Sequence, residues 1–368
     1  MTAVLLSTAV FAQKNVPYTL TPVADIPTTP TRYQGRTGTC WCHGGIAFLE
    51  SELIRRGKGQ YDLSEMFLVR YNYDLRIFDN YLKHGMGNLG QGGHPHQVMK
   101  LISQYGIVPE AIYNGKNYEN YRHDHKEMNN YVKLNGGSIA EEKVCSDQSR
   151  QLLASLLDNR LGKVPEEFEW EGKKYTPKEF ADKIGLDDEY LGEILNFTSF
   201  THHPFYHPFS LEVKDNWDGG QFMNVPLEEF EQIIDYALEH GYTVIWSGDT
   251  NDGFDHSHEM AINPRPEFFD DAMQFKARYP EIIVTQENRQ HDFVTFRTLD
   301  QHVMLLTGIC QDERGQRFYK AKESAFKDGG DDGGFMYMSR SFTMMRGLSI
   351  MVHKNGVPKE IRKKCGFK

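Results

Sequence analysis

A cysteine and the glutamine six residues before it are the most informative pair in this sequence. Residues 34–40 read Gln-Gly-Arg-Thr-Gly-Thr-Cys, and Trp41 follows directly. Apolar residues recur at helical spacing up to residue 54, which predicts a helix that begins at Cys40 and ends before Gly57. Because the N-terminal end of a helix favours negative charge, the thiolate of Cys40 would be available near neutral pH. The pattern predicts a thiol nucleophile at Cys40, with the Gln34 amide as donor to an oxyanion.

Two other interpretations of this segment remain open. A buried cysteine that serves as a small hydrophobic residue would explain Cys40, but it would not explain Gln34. Cys42 and His43 could join Cys40 in a metal knuckle. Ligands one residue apart at the start of a helix fit a tetrahedral site poorly, and no second cysteine pair follows, so we favour catalysis over zinc.

A thiol nucleophile needs an imidazole that takes up and returns its proton. His302 stands at the start of a strand candidate, residues 301–309, in the C-terminal half of the chain. Two other histidine groups have short spacings that suggest metal ligands, namely His202, His203 and His207, and His256 and His258 beside Glu259. They lie in loop-like stretches without a helix to hold two ligands on one face, so the sequence predicts no metal site.

Size and charge narrow the class of protein. The chain has 368 residues, 39% of them hydrophobic, and a net charge of -10. This charge argues against a nucleic-acid groove or an anionic membrane surface as the main partner. Five cysteines are few and odd in number, so no disulfide framework is expected. The composition favours an acidic, soluble enzyme with no nucleic-acid partner and no membrane partner. We also expect no cofactor.

The N-terminus carries a short apolar run over residues 3–12 that ends with Val10, Phe11 and Ala12. Its length and small final residue are typical of the core and cleavage site of a signal peptide. We therefore expect residues 1–12 to be a signal peptide and the protein to be exported, either periplasmic or secreted. The alternatives are an N-terminal strand or a truncated leader, with a cytoplasmic location.

The periodicity changes along the chain. Helical spacing dominates residues 40–113, short helix-like pieces in a charged context occupy 114–214, and β-branched and aromatic runs follow a helix at 227–238. We predict an α+β fold with a helical lobe at 13–113 that carries the nucleophile, an inserted helical subdomain at 114–214, and a β-rich lobe at 215–368 that carries the catalytic histidine.

Several motifs follow one another in a characteristic order. They are Gln34 with Cys40-Trp41, Asp62-Leu63-Ser64-Glu65, Gly92-Gly93-His94-Pro95, Tyr105-Gly106-Ile107 and Gln301-His302-Val303-Met304. This set resembles the papain-like cysteine peptidases, and specifically their bleomycin hydrolase and aminopeptidase C branch. The resemblance implies a papain-like fold with a helical lobe, a β-barrel-like lobe and a cleft between them. It also implies that Thr37 and Gly90 stand where papain has a disulfide pair.

The resemblance implies a function and a set of site residues. Cys40 and His302 would hydrolyse a peptide bond in an aminopeptidase-like reaction, while Gly92 and Gly93 would pair with the substrate backbone. Trp41 and Gln301 would also contribute to substrate binding. The expected partners are a peptide substrate and further copies of the chain, since members of this branch assemble into hexamers.

One catalytic position departs from the family pattern. The segment Lys322-Glu323-Ser324-Ala325 has glutamate where the family has an orienting asparagine, and alanine where it has a shielding tryptophan. A carboxylate can accept the imidazole N–H, so Glu323 is predicted to orient His302. The alternative is a solvent-facing Glu323 on a displaced strand, which would leave a slow dyad or a catalytically impaired peptide-binding protein.

Overall fold

The computed structural model describes residues 16–119, 122–325 and 334–367. The predicted signal peptide, residues 1–12, lies outside this range. The chain divides into two compact units. The helical unit comprises Thr28–Asn196 and Pro208–Phe222, and the sheet unit comprises the residues up to Pro27, Phe197–His207 and Met223–Lys368.

The strands, in chain order, are β1 (Thr21–Asp25), β2 (Phe168–Trp170), β3 (Lys173–Tyr175), β4 (Ile194–Thr198), β5 (Pro208–Ser210), β6 (Gln221–Asn224), β7 (Val244–Gly248), β8 (Phe254–Asp255), β9 (Met260–Ala261), β10 (His302–Gln311), β11 (Arg317–Lys322), β12 (Phe335–Ser339) and β13 (Gly347–His353). The helices are α1 (Cys40–Arg55), α2 (Glu65–Leu82), α3 (His96–Tyr105), α4 (Lys126–Glu141), α5 (Asp147–Leu161), α6 (Pro177–Ile184), α7 (Asp188–Leu191), α8 (Leu227–Glu239), α9 (Phe269–Ala272), α10 (Gln286–Val294), α11 (Arg340–Arg346) and α12 (Lys359–Lys364).

Helix α1 is the buried centre of the helical unit, and it begins at Cys40 as predicted. Gly45 lets it approach α3 closely, because a Cβ atom at this position would lie 2.6 Å from Cγ2 of Val98. Ser64 caps α2, since its Oγ accepts the N–H of Phe67 at 3.1 Å. These three helices form the packed frame that holds the cysteine.

The region 114–214 is more helical than the sequence suggested. Helix α4 runs for 16 residues, although the sequence indicated only short helix-like pieces. Gly136 and Gly137 lower its intrinsic helix propensity, and tertiary packing of Met128 and Val132 offsets this weakness. Most of this region belongs to the helical unit. The domain boundaries proposed from the sequence stay a prediction.

The sheet unit is built on one mixed sheet, in which β4, β13, β7, β10, β11, β12, β9 and β8 follow one another as neighbours. Strand β1 pairs with β10 and therefore lies in this unit, whereas the sequence analysis grouped it with the helical lobe. Strands β10 and β11 form an antiparallel hairpin, and β7 lies antiparallel on the other side of β10. The predicted strand at 301–309 and the predicted helix at 227–238 are confirmed as β10 and α8, whereas α10 was missed.

Within the described residues, helices are either too short or too polar to cross a lipid bilayer. All five cysteines belong to the described residues, and none of them forms a disulfide there.

Candidate active site

Cys40 is the first residue of α1, and only 7% of its surface is exposed. The carbonyl of Thr39 accepts the N–H groups of Cys42 at 3.0 Å and His43 at 3.1 Å, which closes the first turn. The N–H groups at the start of a helix have no partner inside the helix and point along its axis. The thiol therefore lies beside backbone donors that favour negative charge.

The loop that carries Gln34 is held at several points. The Gln34 amide donates from Nε2 to the carbonyl of Thr37 at 2.7 Å, and the Thr37 hydroxyl donates to the carbonyl of Gln34 at 2.8 Å. Arg36 donates its N–H to the carbonyl of His123 at 2.8 Å and accepts the N–H of His125 at 3.3 Å. These bonds fix both the amide and the loop that leads to Cys40.

Cys42 has a different environment from Cys40. Its thiol donates to the carbonyl of Glu65 at 3.3 Å, which links α1 to the start of α2. Burial, followed by the charge of Glu65, raises the pKa of Cys42 well above its usual value. His43 is likewise bound locally, with Nδ1 3.0 Å from the carbonyl oxygen of Thr39. Cys42 is therefore a structural thiol.

The two glycines predicted to bind substrate lie close to side chains of other residues. A Cβ atom on Gly92 would overlap the carboxylate of Asp215, and one on Gly93 would lie 2.9 Å from Cδ2 of Trp41. Trp41 is fully buried, and its Nε1 donates to the carbonyl of Gln91 at 3.1 Å. Trp41 thus stabilises the glycine loop through its contact with Gly93 and its hydrogen bond to Gln91.

Sequence analysis missed two charged residues at this loop. Arg76 of α2, 1% exposed, donates from Nε to the carbonyl of Asn88 at 2.7 Å and from Nη1 to the carbonyl of Gly92. Asp215 accepts the side-chain N–H of Asn88 at 3.0 Å. Burial lowers the pKa of Arg76 to about 10, although the charge of Asp215 opposes this shift. The sequence offered one signal that Arg76 is buried, because this arginine lies between the apolar residues Tyr73 and Ile77 of a helix.

The predicted imidazole and its orienting group are in direct contact. Nε2 of His302 lies 2.7 Å from Oε1 and 2.8 Å from Oε2 of Glu323. His302 opens β10, opposite Gly248 of β7, and Glu323 directly follows β11 in the same hairpin. Glu323 is fully buried, which excludes the solvent-facing alternative. Glu323 therefore binds the imidazole ring of His302 through Nε2.

Several groups keep this carboxylate ionised. Burial by itself raises the pKa of Glu323, but the charge and hydrogen bond of His302, the N–H of Ala325 at 2.7 Å and the charge of His256 outweigh it. The pKa of Glu323 therefore lies below its usual value. Nε2 of His256, which sequence analysis considered only as a metal ligand, lies 4.0 Å from Oε2 of Glu323. An ionised carboxylate here stabilises the imidazolium form of His302.

Gln301 precedes this pair on an exposed stretch of chain. Its Oε1 accepts the N–H of Thr250 at 3.3 Å, and its own N–H donates to the carbonyl of Gly248 at 3.3 Å. These two bonds hold Gln301 beside the C-terminal end of β7. Its predicted contact with substrate stays a prediction.

Comparison with known proteins places this chemistry in a family. The model of the family described as "Peptidase C1-like family" matches residues 72–366. The match includes His302 and Glu323 and begins after Gln34 and Cys40. Aminopeptidase C of Lactococcus lactis subsp. lactis is 23% identical over 353 residues, which cover 85% of this chain and 78% of that protein. Mitochondrial cysteine proteinase 1 of Saccharomyces cerevisiae is 21% identical over 399 residues, covering 93% and 78%.

A solved structure supports the same fold. The crystal structure of pepw from Lactobacillus rhamnosis HN001 superimposes with a TM-score of 0.72 at 18% sequence identity. The superposition covers 94% of this chain and 84% of that one. The predicted papain-like α+β fold and the predicted branch are confirmed.

Proposed function

Because this chain belongs to the Peptidase C1-like family, we propose that it hydrolyses peptide bonds with Cys40 as nucleophile and His302 as general base. The observation that best supports an active enzyme is the buried contact between His302 and Glu323. It keeps an orienting acceptor on the imidazole although the family's asparagine is replaced. In this proposal the thiol belongs to the helical unit and the imidazole belongs to the sheet unit.

The proposed reaction has two stages. The thiolate of Cys40 attacks the scissile carbonyl carbon, and the oxyanion accepts hydrogen bonds from the Gln34 amide and the N–H of Cys40. The imidazolium of His302 gives its proton to the leaving amine, which departs and leaves a thioester on Cys40. His302 then takes a proton from water, whose oxygen attacks the thioester, and the carbon–sulfur bond breaks to release the acid product and restore the Cys40 thiolate beside the His302 imidazolium.

We propose that the substrate is a peptide with a free amino terminus. This preference is taken from the name of the related aminopeptidase C proteins. An extended peptide would pair along Gly92 and Gly93, where the absence of side chains lets another backbone approach.

Cleavage of fluorogenic aminoacyl and peptidyl substrates by the purified protein tests this function. Cys40→Ala should abolish turnover, whereas Cys145→Ala, which changes a partly exposed thiol of the same unit, should leave it unchanged. N-acetylation of the substrates should suppress cleavage. A Cys40→Ala protein as active as the parent would refute the mechanism, and equal cleavage of acetylated substrates would refute the amino-terminal preference.

Alkylation with iodoacetamide distinguishes an active enzyme from a catalytically inactive peptide-binding protein. In an enzyme, Cys40 should be labelled fast at mildly acidic pH, and His302→Gln should slow this labelling. Cys42 provides an internal comparison, because its thiol is fully buried and bound to Glu65. Labelling of Cys40 that does not depend on His302 would favour the binding protein.

Assembly and location are further proposals. We propose that the chain forms a homo-oligomer without nucleic-acid or membrane partners, and that it is exported. Light scattering on the purified protein tests the first proposal. N-terminal sequencing of protein from the extracellular or periplasmic fraction tests the second, with cleavage after Ala12 as the expected result.

A further inference from the structure

We propose that Gln91 is a positioning residue that couples the substrate loop, residues 88–93, to the turn that carries Cys40. The inference rests on the proposed peptidase function and assigns a residue that this function does not itself require. Oε1 of Gln91 accepts the N–H of Gly38 at 2.9 Å. Its carbonyl accepts Nε1 of Trp41 at 3.1 Å. One residue thus binds the chain on both sides of the nucleophile.

The substrate loop at Gln91 and the turn at Gly38 are also in close contact. A Cβ atom on Gly38 would lie 3.0 Å from Cβ of Gln91, a separation that a real side chain rarely accepts. Gly38 therefore lets the turn lie directly on Gln91. The hydrogen bond and the close contact together fix the distance between these two segments.

The substrate loop is itself anchored by Arg76 of α2 and by Asp215. The buried guanidinium of Arg76 binds the carbonyl groups of Asn88 and Gly92, which flank Gln91. Asp215 accepts the side-chain N–H of Asn88, and the carbonyl of that side chain accepts the N–H of Gly90 at 2.8 Å. Because the backbone is held on either side of Gln91, this residue offers a fixed reference for Gly38 and Trp41.

This arrangement has a defined consequence for catalysis. Gly92 and Gly93 would set the position of the substrate, and the turn after Gly38 carries the thiol and the backbone donor of the oxyanion site. Displacement of reacting atoms by about 1 Å can slow a reaction by about 100-fold. Loss of the Gln91 link should therefore impair the chemical step, while substrate binding persists because Arg76 still binds the carbonyl of Gly92 and Asp215 still binds Asn88.

Two substitutions separate positioning from simple packing. Gln91→Leu keeps the approximate size and removes the acceptor for the Gly38 N–H, whereas Gln91→Glu keeps an oxygen acceptor. We expect Gln91→Leu to lower kcat by about 10- to 100-fold with KM within about threefold of the parent, and Gln91→Glu to restore most of kcat. The matched control is Gln104→Leu, which changes an exposed glutamine of the same unit whose side chain donates to the hydroxyl of Tyr105. It should leave both constants unchanged.

Hydrogen–deuterium exchange gives a second readout that does not require turnover. Exchange in a peptide covering residues 35–41 should be faster in Gln91→Leu than in the parent and should return towards the parent rate in Gln91→Glu. Unchanged exchange and unchanged kcat in Gln91→Leu would overturn the inference, as would a Gln91→Glu protein as impaired as Gln91→Leu. A parent protein that cleaves no peptide would instead refute the proposed function, and exchange would still decide whether Gln91 holds the turn.

Discussion

Glu323 binds His302 with both carboxylate oxygens on the same ring nitrogen, at 2.7 and 2.8 Å. The contact orients the ring and places a negative charge beside it. An asparagine at this position would orient the ring without adding charge. The substitution at residue 323 is therefore expected to alter the pH range of activity while it preserves the geometry.

Replacement of Glu323 tests the two contributions separately. Glu323→Ala should lower kcat by about 100-fold or more, because the ring loses its orienting acceptor. Glu323→Gln keeps an acceptor and removes the charge, so the imidazolium loses its proton more easily and the alkaline limb of the kcat/KM profile should move to lower pH. Glu313→Gln, in the exposed turn of the same hairpin, is the control. An alkaline limb that does not move in Glu323→Gln would contradict the role of the charge.

A methyl group at Gly92 should disturb the substrate loop. Gly92→Ala places a Cβ atom on the carboxylate of Asp215, so we expect KM to rise by about 10-fold. In an Asp215→Ala background the same change should have a smaller effect, because the clash is absent. Gly137→Ala is the matched control, since nothing lies within 4 Å of its added Cβ atom. Additive effects of Gly92→Ala and Asp215→Ala would show that the two sites are independent.

Removal of the Ser64 hydroxyl should destabilise the helical unit. Ser64→Ala leaves the N–H of Phe67 and the carbonyl of Tyr113 without their bonds in a fully buried place, which should cost about 1–3 kcal/mol. Chemical denaturation measures this loss. Ser146→Ala removes a partly exposed cap from α5 and should cost at most about 1 kcal/mol. Equal losses in both variants would contradict the importance of burial.

His125 should make the stability of the protein depend on pH. This histidine is buried, and its backbone N–H donates to the carbonyl of Arg36 in the loop that carries Gln34. Burial, followed by the charges of His123 and His43, lowers the pKa of His125 from 6.5 to about 3. The unfolded chain therefore binds a proton at this residue as the pH falls below 6.5, while the folded chain does so only near 3. The folded state loses stability across that window as the solution becomes more acidic.

His125→Phe removes this acid-dependent loss. We expect the Tm difference between variant and parent to shift in favour of the variant when the pH is lowered from about 8 to about 5. Thermal unfolding followed by circular dichroism at both pH values measures it. A Tm difference that is the same at both values would contradict a neutral, buried His125 in the folded protein.

Local patterns predicted the parts of the site that depend on local structure. The helix after Cys40 and the strand of His302 have clear periodicity, and they form as expected. Glu323 was a weaker prediction, because a slip of one residue in the β10–β11 register would turn its side chain to the opposite face. The sequence contains the residue type, whereas the register depends on packing across the sheet.

The supporting residues could not be predicted in the same way. Arg76 contacts Gly92 across 16 residues, and Asp215 contacts Asn88 across 127. Contacts between distant segments arise from the tertiary fold, so the sequence could indicate that Arg76 lies among apolar residues but could not show which groups it binds. Helix α4 was missed for a different reason, since two adjacent glycines weaken its local propensity.

The absence of disulfides among the five cysteines of the described residues has a practical consequence for handling this protein. The described fold contains no covalent cross-link that dithiothreitol could break, so a strong reductant should leave the melting transition in place. The same reagent would return a sulfenic acid at Cys40 to the thiol. Preparations kept reduced should therefore hold their activity on storage, and those left in air should lose it without unfolding.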